Sequence, residues 1–428
     1  IEPFIHEYGQ NLFGLTPKFK DNLYVSLGGL GQTQFTPIDR FRDVVVIVAH
    51  IVLYLLILLL GLKISASSKL TFITISVLAV IPIVDLVLAA PLFFASQVPN
   101  NQLVAFDEMP PRVKNMEKSS FQVEKPNVYL IIPDGMPSPE TVSSILVGYK
   151  YKITDQLKQR GFHIVPNSVS NALNTSISVP HFFTMDYFFQ KNEKLTPKKK
   201  SKILKVHSGY NPVIAEFRKR GYRYLHVDGA SYTKCSGYED VCIGIFPGII
   251  ELDRMFLMRT AIHRLKSRLQ IPDNLEIPEV VQRLPAAKEG PYFFYAHFSL
   301  PHSPFRYKSD CSKKDKPSNS YEGLKKWRSY FKEQLLCTEI QLNLLVNAIL
   351  ERDPTAIIVI QSDHGSSHIQ YQNKDQMEWS SEEIRLVLRN FSAFYMPKKC
   401  ASNLRPGLSP VNTFRLVFSC LDGRVPDL

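Results

Sequence analysis

Two short apolar runs that end alike constrain this chain more than anything else in it. Asn127-Val-Tyr-Leu-Ile-Ile-Pro-Asp134-Gly135 is rich in β-branched residues and closes on a carboxylate and a glycine. Ala356-Ile-Ile-Val-Ile-Gln-Ser-Asp363-His364-Gly365 repeats the pattern late in the chain, with a histidine beside the carboxylate. Such runs read as parallel strands buried on both faces, each presenting an acidic residue at its C-terminal tip. Open α/β sheets bind ligands at those tips. Between the runs lies a hydroxyl-rich turn, Asn174-Thr175-Ser176-Ile177-Ser178-Val179-Pro180.

The elements around these runs alternate. A helical stretch near 138–160 ends at Gly161 and leads to a short strand, Phe162–Val165. A strand over Tyr222–Val227 follows Arg218-Lys-Arg-Gly, and Pro291–His297 is a further buried strand. Residues 321–351 form an amphipathic helix with Leu335, Leu336, Leu342, Leu345 and Ile349 on its core side. Helix-then-strand order predicts an α/β sandwich with a mostly parallel central sheet. Neither an internal repeat nor a low-complexity segment is visible.

The 428 residues leave room for more than this domain. Val44 to Leu62 is an uncharged run long enough to span a bilayer, and a second apolar stretch runs from Leu70 to about Ala95. Asp85 inside the second stretch is expected to face a partner helix or water. The expected organisation is a loop region over 1–43, two transmembrane helices over 44–95, a proline-bearing linker over 96–126 and a catalytic domain over 127–428. Because the chain opens on Ile1, a fragment start is expected. Lys63 and Lys69 favour a cytoplasmic loop between the spans, whereas Arg40 and Arg42 argue the reverse. Six cysteines, all after residue 230, tip the balance towards an extracytoplasmic C-terminal domain. Cys235 with Cys242 and Cys311 with Cys337 are the expected pairs. The net charge of +12 suits an anionic membrane surface or an anionic substrate. No zinc-finger spacing, basic helix or aromatic-interleaved motif accompanies it, so nucleic acid is not an expected partner. The lysine run over Lys198, Lys199, Lys200, Lys202 and Lys205 reads first as a solvated surface.

Each chemical candidate has a bland reading beside its functional one. Asp134-Gly135 is either a site carboxylate or ordinary turn chemistry. Asp363-His364 is either a pair of metal ligands, suited to zinc, manganese or another divalent ion, or a helix cap with a surface histidine. Thr175 is either a hydroxyl nucleophile beside helix N-terminal amides or a plain N-cap. His302, held between Pro301 and Pro304, is a site group or a solvated loop residue. His297, ending an apolar run, reads as a satisfied core histidine. Asn174-Thr-Ser also has the form of a glycosylation acceptor, here taken as coincidental.

In order, these pieces resemble the sulfatase/alkaline-phosphatase superfamily. The resemblance covers about residues 125–425 and is nearest to the membrane-anchored branch that includes lipoteichoic-acid synthases and phosphoethanolamine transferases. Asn174-Thr-Ser-Ile-Ser-Val-Pro180 is similar to the nucleophile segment of those transferases. Val411-Asn-Thr-Phe-Arg415 resembles the closing segment of uncharacterised bacterial members. The resemblance implies an alkaline-phosphatase-like sandwich, with Thr175 as nucleophile and metal ligand forming a covalent phospho- or sulfo-enzyme. It implies that Asp134, Asp363 and His364 complete the metal shell, and that His302 contacts the anionic group or leaving oxygen. The metal implied is one divalent ion, zinc or manganese first, with magnesium or calcium as the other candidates. Three departures stand out. The transferase branch usually has Glu where Asp134 stands. The Cys-x-Pro-x-Arg segment of formylglycine sulfatases is absent. No histidine matches a second metal site, His368 coming too soon after Asp-His-Gly.

The expectation is therefore a multi-pass cell-membrane enzyme with an extracytoplasmic catalytic domain. It would act as hydrolase or transferase on a phosphate or sulfate ester, an anionic substrate carried by a lipid or the envelope. The rival expectation is a membrane-anchored binding module that keeps the fold without turnover.

Overall fold

The computed structural model describes residues 125–187, 196–228, 235, 238–244, 276–318, 324–366 and 379–428. The two expected membrane spans, Asp85, the linker up to residue 124 and His368 lie outside these residues. Among the described residues, no helix is long and apolar enough to cross a membrane.

The strands are β1 (Val128–Pro133), β2 (His163–Ile164), β3 (Arg223–Val227), β4 (Val241–Ile243), β5 (Tyr292–Phe298), β6 (Phe305–Tyr307), β7 (Lys313–Ser318), β8 (Ile357–Gln361) and β9 (Ser392–Tyr395). Seven of them join in one sheet of order β2-β9-β8-β1-β5-β3-β4. β8, β1, β5, β3 and β4 run parallel, while β9 and β2 close one side antiparallel. β6 and β7 form a separate antiparallel pair. The α/β architecture with a mostly parallel central sheet is therefore the observed one. Both carboxylate-tipped runs are central strands, and β1 lies between β5 and β8. Parallel strands buried on both faces must be apolar throughout, which accounts for the unbroken runs.

The helices are α1 (Pro139–Ile145), α2 (Lys152–Gln159), α3 (Thr175–Thr184), α4 (Pro197–His207), α5 (Pro212–Lys219), α6 (Ile277–Gln282), α7 (Leu324–Arg352), α8 (Ser381–Leu388), α9 (Lys398–Ala401) and α10 (Thr413–Leu421). Side-chain alternation along β1 divides the core. Tyr129 and Ile131 meet α1, α2, α6 and α7, whereas Val128, Leu130 and Ile132 meet α3, α4, α5 and α10. The single helix expected over 138–160 is two, broken where Gly148 takes φ +77°. The long helix is α7, and Leu335, Leu342, Leu345 and Ile349 are fully buried as expected. Leu336 is only partly buried, because the core stripe passes instead through Cys337 and Thr338.

Helix α3 contains a proline that its own geometry cannot satisfy. Pro180 has no N–H, so the carbonyl of Ser176 one turn earlier loses its helical donor. His207, the last residue of α4, supplies one from outside: its Nε2 lies 3.1 Å from that carbonyl. At the other end, Arg415 of α10 donates through Nη2 to the Met185 carbonyl at 2.9 Å. The Val411–Arg415 segment thus seats the end of α3.

Both expected disulfides are present, and a third joins Cys400 to Cys420. This third bond ties α9 to α10 across 20 residues of sequence. By loop closure it is worth about 3 kcal/mol. Replacing both cysteines with serine is expected to lower the unfolding free energy by about that amount in urea titrations.

The helix-seating histidine makes a pH prediction. Burial pushes the His207 imidazole down to about 4, against the opposing Ser176 hydrogen bond, and burial does the same to His181. A folded-state value below the ordinary 6.5 means that the unfolded chain takes up the proton first. The stabilisation is complete above pH 6.5 and drains as the pH falls towards 4, by about 2 kcal/mol per histidine at pH 5. His207→Gln keeps an N–H for Ser176 but has nothing to titrate. Urea unfolding at pH 7 and pH 5 should show a smaller loss in this variant than in the parent chain.

Candidate active site

Sheet order places Asp134 and Asp363 side by side, one just past the end of β1 and the other just past the end of β8. The Gly135 N–H donates to Asp363 Oδ1 at 3.0 Å, which joins the two strand tips directly. Gly135 has φ +65°, and a Cβ there would lie 3.2 Å from His364 Cε1 and 3.3 Å from His302 Cδ2. Glycine is needed for both reasons. Ser362 donates through Oγ to the His364 carbonyl at 2.7 Å and receives the Met136 N–H at 2.8 Å.

Helix α3 points its first turn at these tips. Asn174, not Thr175, is the N-cap: its Oδ1 accepts from the Ile177 N–H at 3.2 Å. Thr175 is thereby released from capping and sits at the first helical position, buried. One turn on, Ser178 donates to the Asp363 carbonyl, and Ser170 joins it on the same oxygen at 2.6 Å. The helix and the β8 tip are fixed to each other by hydroxyls.

The central distances form a polyhedron. Thr175 Oγ1 is 3.5 Å from Asp134 Oδ1 and 3.5 Å from His364 Nε2. His364 Nε2 is 3.4 Å from Asp134 Oδ1 and 3.5 Å from Asp363 Oδ2. A tetrahedron whose centre is ~2.1 Å from each corner has edges of about 3.4 Å, and that centre-to-corner distance is the usual zinc–oxygen or zinc–nitrogen bond. Four observed edges match it. His364 Nδ1 donates to the Gly365 carbonyl at 2.8 Å, which leaves Nε2 as the lone-pair nitrogen facing the centre. Asp363 Oδ2 is buried without a hydrogen-bond partner. The donor set and this bare oxygen fit a divalent cation.

The electrostatics agree. Burial alone would raise the Asp134 carboxyl, but His302, then His364 and His297, outweigh it and hold the group well below the usual range. Burial would lower His364, yet Asp363 and then Asp134 lift it to about 9. The two carboxylates thus draw a positive charge onto the imidazole when no metal is bound, and a cation would take that proton's place.

His302 enters from the loop after β5. Its Nδ1 is 2.7 Å from the Ser303 carbonyl and must carry the proton there, leaving Nε2 towards the site. Asp134, His302 and His364 each offer a ligand atom within 4.8 Å of the others. The loop is pinned by Gln334 of α7, whose amide donates to the Pro301 and His302 carbonyls at 3.0 and 2.7 Å. Gln334 also accepts the Arg306 N–H at 2.6 Å. A glutamine at an otherwise apolar, fully buried helix position was the available sequence signal for it.

The five expected residues, Asp134, Thr175, His302, Asp363 and His364, lie together: Thr175 is not the N-cap and His364 is not at the surface, while Asp134-Gly135 does form a turn and His302 is partly buried. One core reading is corrected. His297 is fully buried, but it is not satisfied, since neither ring nitrogen has a hydrogen-bond partner. Each unpartnered buried group costs roughly 1–3 kcal/mol. The sequence offered only its place in an apolar strand, which hid it.

A comparison with curated proteins returns no match. Among solved structures, the C-terminal periplasmic domain of phosphoethanolamine transferase EptC from Campylobacter jejuni is 14% identical, with a TM-score of 0.41 over 70% of this chain and 89% of that one. Lipooligosaccharide phosphoethanolamine transferase A (EptA) from Neisseria meningitidis, an integral membrane protein, is 15% identical, with a TM-score of 0.44 over 72% of this chain and 56% of that one. BT1596, a 2-O GAG sulfatase, is 13% identical, with a TM-score of 0.42 over 71% and 72%. These likenesses are too distant to carry an activity across. The sulfatase family model is different in kind: it matches residues 126–389, over half the chain. That span takes in every residue of the cluster, and the chain belongs to the sulfatase family.

Proposed function

We propose that residues 127–428 are a metal-dependent catalytic domain that transfers or hydrolyses phosphate or sulfate esters through a covalent intermediate on Thr175. The observation that carries this reading is the set of 3.4–3.5 Å edges joining Thr175 Oγ1, Asp134 Oδ1, Asp363 Oδ2 and His364 Nε2. Those four residues would hold one divalent ion, with zinc or manganese favoured by the mixed oxygen and nitrogen donors. When bound, the ion supplies positive charge that lowers the threonine hydroxyl's pKa and offsets charge on the transferred group.

The protein's own groups do the rest. Thr175 stands at the first turn of α3, so its oxygen and the incoming anion share the positive end of that helix. The hydroxyl loses its proton to solvent, its oxygen attacks phosphorus or sulfur, and the bond to the ester oxygen breaks, the departing oxygen taking up a proton. His302 lies beside Asp134 and His364, and in its doubly protonated form its Nε2–H would donate to an equatorial oxygen or pass its proton to the departing one. Burial of Asp134, Thr175, Asp363 and His364 keeps competing water from the reacting centre. Water or an acceptor hydroxyl then releases the group from Thr175.

Three disulfides support an oxidising, extracytoplasmic setting for the domain. The two apolar runs over 44–95 support a membrane anchor and, with it, a lipid-borne or envelope ester as substrate. No ligand position carries a disabling substitution, so nothing favours the non-catalytic reading.

The test is turnover of p-nitrophenyl phosphate and p-nitrophenyl sulfate by the full chain, with zinc or manganese and after chelation. Activity is expected with metal, absent after chelation, and lower by roughly a thousandfold or more in Thr175→Ala. Residual turnover in Thr175→Ala at the parental level would exclude the covalent route. Gly135→Ala should lose activity while remaining folded, since its Cβ would press on both His364 and His302.

A further inference from the structure

The tetrahedral cluster does not account for every bare polar atom beneath α3. His297 is the sixth residue of β5 and pairs in register with Ile132 of β1. Side chains alternate along strands, so residues two apart share a face. Ile132 packs on the α3 face of the sheet, and Asp134, two residues on, emerges on that same side. Tyr295 packs there too, which puts His297 on the α3 face by the same rule. Val359 fixes the face for β8, and Asp363 follows four residues later. One histidine and two carboxylates from three adjacent strands therefore converge on one spot. Asp134, His297 and Asp363 each offer a ligand atom within 4.8 Å of the other two, and all three are buried.

The surroundings give His297 nothing else to bind. It is fully buried, and Nδ1 and Nε2 both lack a hydrogen-bond partner. Asp363 Oδ2 beside it is equally bare. Both groups offer a lone pair, the unprotonated imidazole nitrogen and the carboxylate oxygen, and a single cation between them would accept both. A water molecule could donate to both atoms but would not offset two buried carboxylates.

We propose that His297 is a further ligand of the divalent ion, reaching it from the floor of the sheet and raising the protein ligands from four to five. This rests on the metal site of the proposed function and adds to it the imidazole that shapes metal choice. Two imidazoles, two carboxylates and a hydroxyl make a mixed nitrogen and oxygen set suited to zinc, manganese or cobalt, and a poor one for calcium or magnesium. Zinc accepts a fifth ligand readily.

The experiment loads the full chain with Co2+, whose visible absorption reports coordination number, and measures Zn2+ affinity by competition with a chromophoric chelator. Both are read without turnover. The parent chain is expected to show the weaker band of five-coordinate cobalt. His297→Leu should shift it to the more intense tetrahedral band and weaken Zn2+ binding at least about tenfold. If His297→Leu does not fold, His297→Gln replaces it, with the same expected direction. Metal-free thermal stability should be unchanged or higher in the variant, since a bare polar group has gone. An unchanged band with unchanged affinity overturns the inference while leaving the four-ligand site intact. Failure of the parent chain to bind either metal overturns the metal site itself, and this inference with it. An affinity loss with no change in the cobalt band makes His297 a packing residue and also overturns it.

Discussion

Two carboxylates share a buried space at the end of the sheet, and much of the structure answers to that fact. Asp134 and Asp363 present oxygens within 4.8 Å of each other, where their repulsion amounts to roughly 3 kcal/mol at a dielectric typical of protein sites. Nothing apolar could sit there. Instead the Gly135 N–H meets one oxygen, His364 is drawn towards its charged form, and a threonine hydroxyl is brought alongside. A divalent ion completes such an arrangement more fully than a proton can. The family match and the geometry point the same way for this reason.

Much of this was legible in the chain itself. The carboxylate-tipped runs had to be central parallel strands because they are apolar on both faces, and both are. Asp363-His364 could be singled out because ligand types rarely fall side by side at a strand end. Other features were not legible. His297 looked like core because burial and apolar neighbours are all that a sequence displays; the missing hydrogen bonds appear only when three strands are set in register. Gln334 was visible only as a polar residue on the core side of a helix; its partners, 32 and 33 residues away on the His302 loop, were not. The break between α1 and α2 turned on the positive φ at Gly148, and the helical pattern around it gave no warning.

The site is also held from three sides by elements distant in sequence. Hydroxyls of Ser170 and Ser178 tie α3 to the tip of β8, Gln334 ties the His302 loop to α7, and Arg415 seats the far end of α3. None of these groups is among the five clustered residues. They fix where Thr175 and the His302 loop stand relative to the tip of β8, as the proposed mechanism requires.

The pairing of Pro180 with His207 carries a consequence for descent. Any residue but proline at 180 would offer its own N–H to the Ser176 carbonyl and leave a histidine at 207 with no role in α3. A chain that lost the histidine first would strand that carbonyl one residue after the threonine. The order of change across these 27 residues is therefore constrained: Pro180 can be lost while His207 remains, whereas losing His207 first leaves the Ser176 carbonyl without its donor.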